Sequence, residues 1–76
     1  MTFEELVDKS LPAINQRLHK CSSLGAYCMG AACAYAWSRR LELPPSVLDA
    51  AAEITSATAV YDFISTIDKL LEGAKP

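Results

Sequence analysis

Residues Cys21–Ser38 read CSSLGAYCMGAACAYAWS. The stretch carries no charge over 18 residues, and it holds all three cysteines and the one tryptophan of the chain. Lys20 precedes it and Arg39-Arg40 follow it. Three readings compete: a membrane span, a metal or redox site, and a helix packed against other helices. The fold depends on which is right.

A span needs about 20 predominantly apolar residues. Here only Leu24, Tyr27, Met29, Tyr35 and Trp37 are large and apolar or aromatic. The remaining Ala, Gly, Ser and Cys contribute little insertion energy, so no membrane helix is expected. A metal site fails on geometry. Cys21 and Cys28 would share a helix face about 10 Å apart, and Cys33 would point about 140° away from Cys28. There is no CxxC, and His19 is the only histidine, whereas zinc sites draw four ligands from tight spacings. No metal and no cofactor are expected, and the cysteines read as small buried hydrophobes. Their odd number, with no export signal in MTFEELVDKS, points to reduced thiols and a cytoplasmic protein.

The helical reading extends outward from the stretch. Ala, Leu, Glu and Lys are abundant, and no alternating run or Asn-Gly turn marks a strand. The expected fold is all-α, one domain over residues 1–76. Thr2 and Glu5 have capping-box spacing, which starts a short helix over 3–9. Ser10 and Pro12 suit a fresh start, so a long helix is predicted over 11–41. Its seam is Leu11, Ile14, Leu18, Cys21, Gly25, Cys28, Ala32 and Tyr35. Ser22-Ser23 to Gly25 is the place where this helix can bend, because glycine weakens a helix interior. Pro44-Pro45 ends it, and Ser46, three residues before Asp49, caps a third helix over 47–72, with Gly73 as its C-terminal cap.

The two long segments predict an antiparallel helical hairpin after a short N-terminal helix. Charge agrees: residues 9–41 carry Lys9, Arg17, Lys20, Arg39 and Arg40 and no acid, while residues 42–72 carry six acids against Lys69. Complementary facing helices would show this pattern, as would two solvated faces. The third helix carries two apolar stripes, one of which includes Val60, Phe63, Ile64, Ile67 and Leu70. On the back of the second helix, Ala26, Gly30 and Ala34 form a smooth strip, with Tyr27 and Trp37 beside it. A first helix that short cannot cover both surfaces. A homodimer is therefore expected, two hairpins forming a four-helix-bundle-like assembly. The expected partner or dimer interface is Ala26, Tyr27, Gly30, Ala34, Trp37, Val60, Phe63, Ile67 and Leu70.

Catalysis is not expected. No Gly-rich phosphate loop or paired-carboxylate motif is present, nothing orients a Cys–His pair, and 76 residues leave little room for a substrate pocket. Arg17, Lys20, Arg39 and Arg40 are the candidate phosphate contacts, but a net charge of -2 gives no general attraction to nucleic acid. In its small size and its lack of chemistry the chain is similar to phage- or mobile-element-encoded inhibitors, such as anti-CRISPR proteins or anti-activators of transcription factors. That likeness implies a non-catalytic module that binds a larger protein and inhibits or regulates it. The alternatives are a small nucleic-acid-binding regulator and a structural adaptor or chaperone-like subunit.

Overall fold

The computed structural model describes residues 2–73, and every regular element in that range is an α-helix. Four helices follow one another: α1 (Phe3–Leu18), α2 (Ser23–Ser38), α3 (Pro45–Ala52) and α4 (Ala57–Gly73). The all-α expectation holds, but the boundaries at 3–9, 11–41 and 47–72 do not. The first helix is not short, and each of the two expected long segments is divided by a turn.

α1 starts as expected. The Thr2 hydroxyl accepts the Glu5 amide at 3.2 Å, and Glu4 and Glu5 lie in the first turn, where acids favour the positive end of the helix. It then runs straight through Ser10 and Pro12. Leu6, Val7, Ser10, Ala13, Ile14 and Arg17 form one inward stripe across the expected break. Pro12 is exposed, and so is Asp8, whose carbonyl loses its helical partner. The lost hydrogen bond thus faces solvent, and the packing of the stripe outweighs it.

The chain bends after Leu18. Ser22 caps α2 by accepting the Gly25 amide at 3.2 Å, and its hydroxyl donates to the Ile54 carbonyl at 2.8 Å. One side chain therefore starts α2 and ties that start to the junction between α3 and α4. α2 ends in a Schellman motif: the Leu41 amide donates to the Ala36 carbonyl at 2.8 Å and the Arg40 amide to the Trp37 carbonyl at 3.0 Å. The left-handed position is Arg40, at φ 55°, where glycine is the usual residue.

α3 begins one residue before the expected cap. Pro44 is extended, Pro45 is the first helical residue, and no side chain caps the helix. Asp49 is instead engaged by Arg17. The break after Ala52 was missed. Ile54 turns inward, and the Ser56 hydroxyl accepts the Ala59 amide at 3.2 Å to start α4. The expected Gly73 cap depends on residues outside the described range.

α2 and α3 each lie close to all the other helices, whereas no described Cα atom of α1 comes within 8 Å of one of α4. The core is drawn from all four: Leu6 from α1, Cys28, Met29, Ala32, Cys33 and Ala36 from α2, Val47, Leu48 and Ala51 from α3, and Phe63, Ile67 and Leu71 from α4. The turn at 53–56 explains how two apolar stripes are satisfied inside one chain. As one helix, 47–72 would need a neighbour on each side. As two, α3 and α4 each point their own stripe inward. Charges from the basic and acidic segments pair where they meet, Lys9 with Glu42 at 3.0 Å and Arg17 with Asp49 at 2.6 Å.

Burial raises the Cys28 and Cys33 thiols above their ordinary value of 9.0, because the thiolate loses its hydration. Cys21 is only half-buried. Iodoacetamide at neutral pH should label Cys21 first and reach the other two only on unfolding, as read by intact mass. Since folding favours the neutral thiols, their contribution is complete below the unfolded thiol pKa and is lost as pH rises above it, through the higher folded values. Denaturant midpoints should accordingly fall on the alkaline side of about pH 9, and less so once both cysteines are replaced by serine. Equal, fast labelling of all three thiols would contradict the packing.

Candidate protein-docking face

The residues of α2 that face away from the core recur at helical spacing: Ser23, Tyr27, Gly30, Ala34 and Ser38 are all exposed. None is charged. Tyr27 is 64% exposed, and a Cβ built on Gly30 would meet nothing within 4 Å. Gly30 is therefore not required by the packing of its own chain. Gly25, one and a half turns earlier, is the opposite case. A Cβ there would lie 3.0 Å from the Ala52 carbonyl oxygen and 3.2 Å from that of Ala51. The close backbone approach in this chain is between α2 and α3, at Gly25.

α4 extends this face. Ser22 joins the start of α2 to Ile54, in the turn that leads into α4, and Tyr35 and Arg39 share a surface cleft with Asp68 and Glu72 near the ends of both helices. α2 and α4 thus run in the same direction. On α4, Tyr61 and Ile64 share a stripe with Asp68; they are 76% and 40% exposed. One and two turns before Tyr35 on α2 are Ala31 and Tyr27. The surface beside the α2–α4 seam therefore passes from polar at Asp68 and Arg39 to apolar and aromatic at Tyr27, Tyr61 and Ile64.

The residues expected at an interface divide into three groups. Tyr27, Gly30 and Ala34 are exposed, and Ala26 is half-buried. Trp37 is half-buried at the edge, with Phe3 at 5.6 Å between ring centres and the Arg40 guanidinium 3.8 Å from its own ring centre. Phe63 and Ile67 are core residues at 5% and 4% exposure, and Val60 and Leu70 pack half-buried against that core. Phe63 and Ile67 are therefore spent on the chain's own core, with Val60 and Leu70 partly covered beside them. Tyr61 and Ile64 take their place.

The four candidate phosphate contacts do not come together. Arg17 is held by Asp49 and donates from Nη1 to the Ala13 carbonyl at 2.7 Å. Lys20 is exposed and shares a cleft with Asp49 and Glu53. Arg39 lies 5.1 Å from the Tyr35 ring centre and shares a cleft with Asp68 and Glu72. The two pairs sit at opposite ends of α2, a helix of 16 residues and hence about 24 Å long. Each has acids beside it, which opposes a continuous phosphate-binding surface.

The Arg17–Asp49 pair has a role in the fold instead, joining α1 to α3. Arg17 is 18% exposed and Asp49 62%. Asp49→Asn should cost about 0.5–1 kcal/mol at low salt, and less as salt rises. Matched urea melts at two ionic strengths would measure this; a loss independent of salt would mean the contact is not electrostatic.

No described helix is long and apolar enough to cross a membrane, and no group of three metal-ligating side chains occurs among the described residues. No protein-family model, curated protein or solved structure matches the chain.

Proposed function

We propose that this chain is a non-catalytic protein-binding module that pairs with a second copy through the α2–α4 face and acts as a small regulator or inhibitor of a larger protein. The observation that carries the reading is the uncharged outward stripe of α2, with Tyr27, Gly30 and Ala34 exposed and Tyr61 and Ile64 alongside. Protein interfaces favour aromatic anchors and are depleted of charge at their centre. The small residues allow a second backbone to approach, and the tyrosines supply contact area with hydroxyls that tolerate water. Two such faces brought together place two α2 and two α4 helices in one four-helix layer, a self-complementary contact closed by a two-fold axis.

Photocrosslinking tests the reading. A benzoylphenylalanine in place of Tyr27 should give a covalent dimer of the purified protein and, in cells, a heavier adduct with the regulated partner. The same group in place of Gln16, exposed on α1, should give neither. Equal crosslinking from both positions, or none from Tyr27, would overturn the assignment.

A further inference from the structure

The exposed row of α2, Ser23, Tyr27, Gly30, Ala34 and Ser38, is balanced about the Gly30–Ala31 peptide. Ser23 and Ser38 lie equally far from that point, and so do Tyr27 and Ala34. We propose that the second copy docks antiparallel, on a two-fold axis that crosses α2 at Gly30–Ala31, with Tyr27 of each copy seated on Ala34 of the other. This orientation rests on the dimer proposed above, and it fixes which residues of the two copies meet.

Shape favours this orientation. Tyr27 is 64% exposed, and the following turns of the row offer only Gly30, Ala34 and Ser38. A two-fold axis across the helix sets the large side chain of each copy in the space left by the small ones of the other, as ridges enter grooves. An axis along the helix would set Tyr27 on Tyr27 and Gly30 on Gly30, holding the backbones apart at one level and leaving a void at the next. α4 keeps the same register. Ser22 donates to Ile54, 32 positions further on, and Tyr35 and Arg39 share a cleft with Asp68 and Glu72, so α2 and α4 run side by side. The point of α4 level with Gly30–Ala31 is therefore between Asp62 and Phe63. Tyr61 and Ile64, 76% and 40% exposed, lie on either side of it, and the axis brings Tyr61 of one copy onto Ile64 of the other.

Charge favours it too. The charges along the seam, Arg39, Asp68 and Glu72, gather at its far end, whereas its near end carries Ser22, Ser23, Ser56 and Ala57. An axis along the helices would stack Arg39 on Arg39, and like charges brought together cost affinity. The axis across them sets Asp68 beside the first turn of α4 in the other copy, level with Ala57. That turn holds no acid of its own, and a carboxylate is favoured at the positive end of a helix. Within its own chain Asp68 accepts the Lys69 amide at 2.9 Å and forms no ion pair among the described residues, which leaves its second oxygen for this contact.

Disulfide trapping reads the orientation. In a Cys21→Ser background, the Tyr27→Cys and Ala34→Cys proteins, one of them 15N-labelled, are mixed and oxidised with diamide, and intact mass identifies the products. The expected product is the disulfide between the two variants. Neither variant should crosslink to itself, because residues seven apart are about 10 Å apart along a helix, beyond the roughly 7 Å that a disulfide spans. A size swap is the second measurement. Ala34→Tyr sets tyrosine on tyrosine and should raise the dissociation constant about tenfold or more. Tyr27→Ala added to it should bring the constant back to within about threefold of wild type, because the two positions are coupled. Self-crosslinking of each variant, or a double variant that dimerises worse than Ala34→Tyr alone, overturns the antiparallel orientation and leaves the dimer standing. A two-chain mass by light scattering with no mixed disulfide overturns the register. A single-chain mass for the wild type overturns the dimer, and this orientation with it.

Discussion

Gly25→Val lowers the stability of this domain sharply, while Gly30→Leu, five residues along the same helix, leaves the single chain as stable as before. At Gly25 the first added carbon would already stand 3.0 Å from the Ala52 carbonyl oxygen and 3.1 Å from the Cys21 Cβ. Backbone oxygens cannot swing aside as a flexible side chain does, so α2 and α3 must separate. Overpacking of this kind costs roughly 1–3 kcal/mol, and for a domain of this length each kcal/mol lowers the melting midpoint by about 4–8 °C. At Gly30 no atom beyond its own stretch of helix backbone is within 4 Å of the added carbon, and replacing a mid-helix glycine recovers several tenths of a kcal/mol of helix propensity. Melts of the two variants beside the wild type, at one dilute concentration, read the difference. Equal stability of Gly25→Val and wild type would mean that α3 does not lie against Gly25.

Met29→Ala is the second large effect. Met29 is fully buried at the centre of the charge-free stretch, within a core that draws on all four helices. Truncating such a residue loses its transfer energy and leaves a cavity, together about 2–5 kcal/mol. A chain of 76 residues has a total stability of only roughly 4–11 kcal/mol, so the variant forfeits much of it. Met29→Leu, which nearly conserves volume, should cost under about 1.5 kcal/mol. The check is the urea midpoint at unchanged slope. A Met29→Ala midpoint equal to wild type would place this side chain at the surface and reverse the orientation of α2.

Residue by residue, the sequence was legible where signals were local and agreed with one another. Helical composition, the Thr2–Glu5 cap and the stop at Pro44-Pro45 each correspond to an observed feature. It misled where a local signal met packing. Ser10 and Pro12 look like a helix start, yet the inward stripe from Leu6 to Arg17 carries α1 through them. Ser56 looks like an ordinary helical serine, because its capping bond reaches an alanine amide and no acid follows at the third position. The start it gives α4 decides which residues face out: Phe63 and Ile67, expected at an interface, are core residues, Val60 and Leu70 are half-buried beside them, and Tyr61 and Ile64 are exposed. Ser22-Ser23 was readable as a bend. Its tie to Ile54, 32 residues away, was not, since no periodicity encodes a contact at that distance.

The outward face of α2 therefore carries the central claim, and Gly30→Leu isolates it, since the change disturbs nothing within the chain. Light scattering after size exclusion, at tens of micromolar protein, is the direct measurement. Wild type should elute with twice the chain mass of 8.2 kDa, and Gly30→Leu, with an unchanged far-ultraviolet helix signal, should elute at the mass of one chain. A monomeric wild type, or a dimer that survives Gly30→Leu intact, would contradict the account.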